Sequence, residues 1–171
     1  MGTRRERAAM ADQKALELPD LLEQEARLQF TAFDNTVAWR LGCRLVDAAQ
    51  AAALPIAIDI SRGAQQLFHA ALPGATADND EWIKRKCRVV NRFLHSSYYI
   101  GRTWSDKGSR FEDQPHVDHR SHAAHGGAFP IIVRNAGIVG TVAVSGLPQD
   151  EDHDLVVTVL EAFLAAEAPT P

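Results

Sequence analysis

The stretch His125-Gly126-Gly127-Ala128-Phe129-Pro130-Ile131, followed from Val139 by VGTVAVSGLPQDEDH (139–153), decides how this chain is expected to fold. Phe129 to Val133 and Ile138 to Val144 read as two short apolar strands. Asn135-Ala136-Gly137 between them has the residue types of a hairpin turn. Ser145-Gly146 closes the second strand, and Asp150, Glu151 and Asp152 open a helix whose positive end favours carboxylates. Leu155, Val156, Val159, Leu160, Phe163 and Leu164 give that helix a broad apolar face, and Pro169 is expected to end it.

The same pairing of strands recurs upstream. Pro55 to Ile60 alternates strictly, with the isoleucines on one face, and Gly63 permits a tight turn into a second strand over Gln65 to Ala71. Residues 34–53 carry Val37, Leu41, Leu45, Ala48 and Ala52 at three- and four-residue steps behind Asp34, the pattern of a capped helix. Leu72 to Asn79 reads as a loop. A second long helix follows, capped by Asp78, Asn79 or Asp80, with Ile83, Cys87, Val90 and Leu94 as its buried stripe and Lys84, Arg85, Arg88 and Arg92 as a basic face. Residues 101–127 lack a long period and read as a functional loop or assembly arm. A short helix from Pro19 and a short strand near Leu28 to Ala32 complete the order. Strands in adjacent pairs predict a mainly antiparallel sheet of about five strands, covered by helices: an α+β layered domain. No G-x-G-x-x-G or Walker loop is present.

Residues 1–18 read as a flexible extension and 19–168 as a single domain. The net charge of −4 argues against a dedicated nucleic-acid binder, which carries a basic surplus. No apolar run reaches the length of a membrane span, and the basic start leads into polar residues rather than a signal-peptide core. Cys43 and Cys87 sit on helical patterns, so reduced thiols and a cytoplasmic location are expected.

Four blocks resemble one family: IAIDISR (56–62), WIKRKCRVVNRFLHSS (82–97), HGGAFPI (125–131) and GIVGTVAVSGLPQDEDHDLVV (137–157). Together they resemble the haem-degrading-domain superfamily (GlcG/HbpS-like), in particular its branch of uncharacterised proteins found in bacteria and fungi, over roughly residues 20–165. The resemblance implies a profilin-like domain with helices on both faces of the sheet and assembly into homo-oligomers. It leaves the chemistry open, with haem or a divalent metal as cofactor candidates.

The residues suggest where a ligand would sit. Gly126 and Gly127 at a strand start allow close backbone approach, and their N–H groups are candidates to cradle an anionic small molecule. His125, Arg62, Lys86, Ser145 and Gly146 are candidate neighbours. Arg85 and Trp82-Ile83 flank Lys86 on the same helix. Arg62 ends a strand, where a guanidinium often meets an anion. Ser145 lacks the G-x-S-x-G elbow of an activated nucleophile, so turn chemistry is its expected role. Asp152 and His153 are an acid and a base by type, but adjacent helical residues diverge. His116, His119, His122 and His125 are candidate metal ligands by residue type. On a helix, steps of three would turn each successive histidine by about sixty degrees, so only a bent loop could bring them together. The leading reading is a homo-oligomeric small-molecule or cofactor-binding protein. The alternatives are a metal-dependent enzyme with histidine ligands and a non-catalytic assembly or adaptor protein.

Overall fold

The computed structural model describes residues 16–167, in the order α1 (Leu18–Arg27), β1 (Gln29–Phe30), α2 (Asn35–Ala51), β2 (Ala57–Arg62), β3 (Gln65–Ala71), α3 (Ala77–Phe93), α4 (Ser97–Ser105), a 3-10 turn (Phe111–Asp113), β4 (Ala128–Val133), β5 (Gly137–Ser145) and α5 (Gln149–Glu167). Most of the expected extension and the stop at Pro169 lie outside the described residues. Helix α1 starts within the range assigned to the extension, and the Asp20 carboxylate accepts the Glu17 N–H at 2.8 Å.

The five strands lie in the order β1-β4-β5-β2-β3. The two hairpins are antiparallel, as is the β2–β5 junction between them; β1 joins β4 in parallel. The fold is an α+β layer structure, and the sheet is mixed only through its two-residue edge strand. Alternation assigns the faces. Ile56, Ile58, Ile60, Phe129, Ile131, Val142 and Val144 are fully buried and pack in the core with residues of α2 and α5. On the other face Ala57, Ala128 and Ala143 receive Ile83 and Val90 of α3. Those side chains are small, so α3 lies close to the sheet and its long residues reach the strand ends.

Three expectations are corrected. Helix α3 is capped by Thr76, not by residues 78–80, because the Asn79 side chain accepts the Thr76 N–H at 2.8 Å. Leu94 does not continue the buried stripe: it is the left-handed C-cap (φ 60°) and is 57% exposed. Residues 101–127 are not one long loop. Ser96 caps α4 by accepting the Tyr99 N–H, and Phe111, Val117 and Ala124 pack against Val89 and Ile100 in a small core of their own. The weak period of the sequence there reflects short pieces docked singly rather than absence of packing.

Candidate functional site

Strands β4 and β5 pair Ala128 with Ala143, and β5 and β2 pair Ser145 with Ala57. The end of β5 and the starts of β2 and β4 therefore meet at one rim of the sheet. There α5 begins and α3 crosses. A cleft of about 290 Å³ opens at this rim, lined by Trp82, Lys86, His125, Ser145, Gly146 and Asp152 among others.

Its floor is an ion pair. Lys86 Nζ donates to Asp152 Oδ2 at 2.9 Å, with side chains 3% and 1% exposed. Nζ also donates to the Val144 carbonyl at 3.2 Å, and Asp152 Oδ1 accepts the Leu147 N–H at 3.1 Å. Asp152 stands in the first turn of α5, where the helix dipole favours its charge. Burial acts against both charges. It pushes the Lys86 ammonium below the ordinary lysine range and the Asp152 carboxyl above the ordinary carboxylate range, while their mutual attraction opposes each shift. An ammonium has three donors. Two are used here, and the third has no protein acceptor among the described residues.

The walls are aromatic and polar. Trp82 meets the His125 ring edge-on, with centroids 5.2 Å apart, and its own face carries the Arg85 guanidinium at 4.0 Å. His125 Nε2 lies 3.0 Å from Glu112 Oε1, which anchors the ring from outside the cleft. Ser145 is the last residue of β5, buried and paired with Ala57, and it lines the cleft.

The glycine pair serves the protein's own packing. A Cβ on Gly126 would lie 1.8 Å from the Gln149 carbonyl oxygen. Gly127 has φ +120°, and a Cβ there would lie 2.5 Å from the Val144 carbonyl oxygen and 2.7 Å from Lys86 Nζ. The Gly126 N–H points to Gln149 Oε1 at 3.3 Å. The close approach read from the sequence is thus an approach of α5 and of the lysine.

Of the candidate residues, Lys86, His125, Ser145 and Gly146 line this cleft, with Gly126 and Gly127 directly behind it. Arg62 does not join them. It pairs with Gly140, five residues along β2 from Ala57, roughly 16 Å away at strand spacing, and its guanidinium donates to Asn35 Oδ1 at 3.0 Å. The four histidines do not converge either. His116 packs near Trp104, His119 is exposed, His122 Nδ1 contacts Ser121 Oγ, and His125 faces Trp82 and Glu112. Among the described residues no three His, Cys, Asp or Glu side chains are grouped to hold a metal ion. Asp152 and His153 diverge: His153 Nε2 contacts Gln24 Oε1 at 2.8 Å, and its ring packs near Tyr98 and Phe129.

Asp152 is the partner that sequence reasoning missed. A signal existed, because Lys86 falls on the stripe of Ile83 and Val90, an apolar face where a charge needs a counter-charge. A larger cleft of about 400 Å³ lies between α3 and the β2–β3 hairpin. Several of its polar groups are paired: Ser61 and Gln66 donate to Asp59, His69 meets Asp80 at 2.8 Å, and Lys84 meets Glu81 on its own helix at 2.6 Å. The smaller cleft sets a buried ion pair beside an aromatic wall and is the stronger candidate.

Comparison with known proteins agrees with this architecture. The family described as "Haem degrading protein HbpS-like" matches residues 33–161. A UPF0303 protein of Streptomyces avermitilis is 55% identical over 147 residues, covering 86% of this chain and 90% of that one. The crystal structure of Ybr137w protein superposes with a TM-score of 0.84 at 31% identity, over 98% of this chain and 99% of that chain. A structure described as the PduOC:Heme complex gives a TM-score of 0.64 at 17% identity, over 77% and 94%, a likeness of fold. Among the described residues no helix is long and apolar enough to cross a membrane.

Proposed function

This chain belongs to the haem degrading protein HbpS-like family, and on that premise we propose that it is a homo-oligomeric protein that binds a compact polar molecule in the cleft over Lys86 and Asp152. The observation that carries the reading is the ion pair itself. A buried salt bridge contributes little net stability, since desolvation offsets the attraction. This one is buried against the fold yet borders an open cleft, with one ammonium donor unspent. Trp82, with Arg85 over one face, adds an aromatic wall beside it, so donors and acceptors converge near an aromatic side chain, the usual layout of a small-molecule site.

An anionic ligand has less support than a neutral polar one. The Lys86 charge is already balanced by Asp152, and Asp78 adds a carboxylate at the rim. The Gly126 N–H that would cradle an anion is directed at Gln149.

The polar lining of this cleft favours a compact polar ligand over haem. Clefts for drug-sized ligands span roughly 300–1,000 Å³ and are mostly apolar. This one holds about 290 Å³, and Asp78, Asn79, Gln149 and Asp152 line much of it. Nε2 of His125 is engaged by Glu112. Self-association has support in the outer edge of β3, which ends the sheet without a neighbouring strand among the described residues.

The test is a screen of compact polar metabolites, haem included, followed through the Trp82 indole N–H signal, with Trp39 and Trp104 as internal controls. A binder should move Trp82 in the wild type and fail to do so in Lys86→Met. A well-folded sample in which no compound moves Trp82 removes the cleft as the site. Light scattering at several concentrations tests self-association, and a strict monomer ends that part of the reading.

A further inference from the structure

We propose that the cleft captures carbonyl compounds covalently, with Lys86 as the amine that forms an imine and Asp152 as the group that moves the proton. The inference deepens the binding site proposed above and rests on it.

Three features of the geometry lead there. The first is the lysine's placement: its stem is buried on the apolar stripe of α3, the residue lines the cleft, and one of the three Nζ hydrogen positions is unassigned. A carbonyl carbon arriving in the cleft would approach the nitrogen from that free direction. The second is the single proton acceptor, Asp152 Oδ2, at 2.9 Å. Burial disfavours both charges while their mutual attraction favours them, and transfer of one proton from Nζ to Oδ2 within the ion pair yields the neutral amine and the neutral acid. The neutral amine is the nucleophile that imine formation requires. The third is Gly127, whose missing side chain leaves the space that Nζ occupies.

The step balances within the pair. The Lys86 amine attacks the carbonyl carbon; the C–N bond forms and the carbonyl π pair moves to oxygen, which takes the Asp152 proton. The nitrogen returns one proton to the Asp152 carboxylate. The carbinolamine hydroxyl leaves with that proton as water while the C=N bond forms. Lys86 is left as a protonated imine beside an ionised Asp152. No oxidant or reductant is consumed, and net charge is unchanged. Ser145 lines the same cleft.

The experiment uses glyceraldehyde with cyanoborohydride, which reduces an imine to a stable amine, and locates adducts by peptide mass mapping of the native wild-type protein. Lys84, 57% exposed, and the exposed Lys107 are internal references within the same molecule. Glycerol, which cannot form an imine, is run in parallel with the Trp82 indole signal as readout. The expected result is trapping at Lys86 about tenfold faster than at either reference, in keeping with a desolvated lysine, and loss of that adduct in Lys86→Met. Adducts confined to Lys84 and Lys107, while both compounds still move Trp82, overturn the covalent capture and leave the binding site standing. No Lys86 adduct and no movement of Trp82 overturn both.

Discussion

The backbone of Gly127 and the ammonium of Lys86 occupy adjoining space: a Cβ on the glycine would stand 2.7 Å from Nζ. The same Cβ would lie 2.5 Å from the Val144 carbonyl oxygen and 3.0 Å from the Asp152 Cβ, on a backbone with φ +120° that L side chains rarely adopt. Gly127→Ala should therefore destabilise the fold by about 2–4 kcal/mol, since strain and overpacking act together. Urea unfolding measures this. A change under about 0.5 kcal/mol, the range of ordinary surface substitutions, would show that the lysine and strand shift freely and that Gly127 does not define the cleft floor.

A double-mutant cycle on Lys86 and Asp152 separates pairing from burial. Lys86→Met leaves a carboxylate with no cation in the cleft floor, and breaking a buried pair from one side costs about 3–5 kcal/mol. Lys86→Met with Asp152→Leu removes both charges, and the double variant should lose far less than the sum of the single losses. Simple additivity in chemical denaturation would mean that the two groups do not depend on each other.

How far the sequence alone could be read follows from how local each signal was. The hairpins were legible because alternation and turn residues sit within a few positions of each other, as in Ile56 to Ile60 around Gly63. The parallel pairing of β1 with β4 was not, because it joins Phe30 to Val133 through the tertiary fold alone. Lys86, His125 and Ser145 were named as neighbours in the sequence, Lys86 from mid-helix in α3 and the other two from beside strand ends, and they line one cleft. Arg62 was misplaced because being at a strand terminus does not say which end of the sheet that is: it lies at the finish of β2, and the cleft lies at its start. Asp152 read as a helix opener, which it is, and its second role depends on α3 crossing 66 positions away in sequence.

The two cysteines should differ in reactivity. Burial pushes the Cys87 thiol up to about 12, so it stays protonated at neutral pH. The thiolate is the species that alkylates. Iodoacetamide at pH 8 should therefore label Cys43 well before Cys87 in the native protein, and both at similar rates in denaturant. Labelling is read by intact mass and peptide mapping. Equal native rates would show that the Cys87 thiol is solvated in the cleft between α3 and β2–β3.

His153 makes the fold sensitive to mild acid. Its ring is 1% exposed, held against Gln24 at 2.8 Å and packed near Tyr98 and Phe129, and burial lowers its pKa from 6.5 to about 4. Between those values the unfolded chain binds a proton that the native state refuses. The contribution is thus fully present above pH 6.5 and is lost as pH falls toward 4, amounting to about 3 kcal/mol over the window. His153→Gln keeps a polar partner for Gln24 and removes the titration. Urea midpoints measured from pH 7.5 to pH 4.5 should fall more steeply for the wild type than for this variant, whatever the carboxylates contribute to both. Parallel pH profiles would mean that the imidazole is protonated within the fold, and that α1, which supplies Gln24, moves to admit the charge.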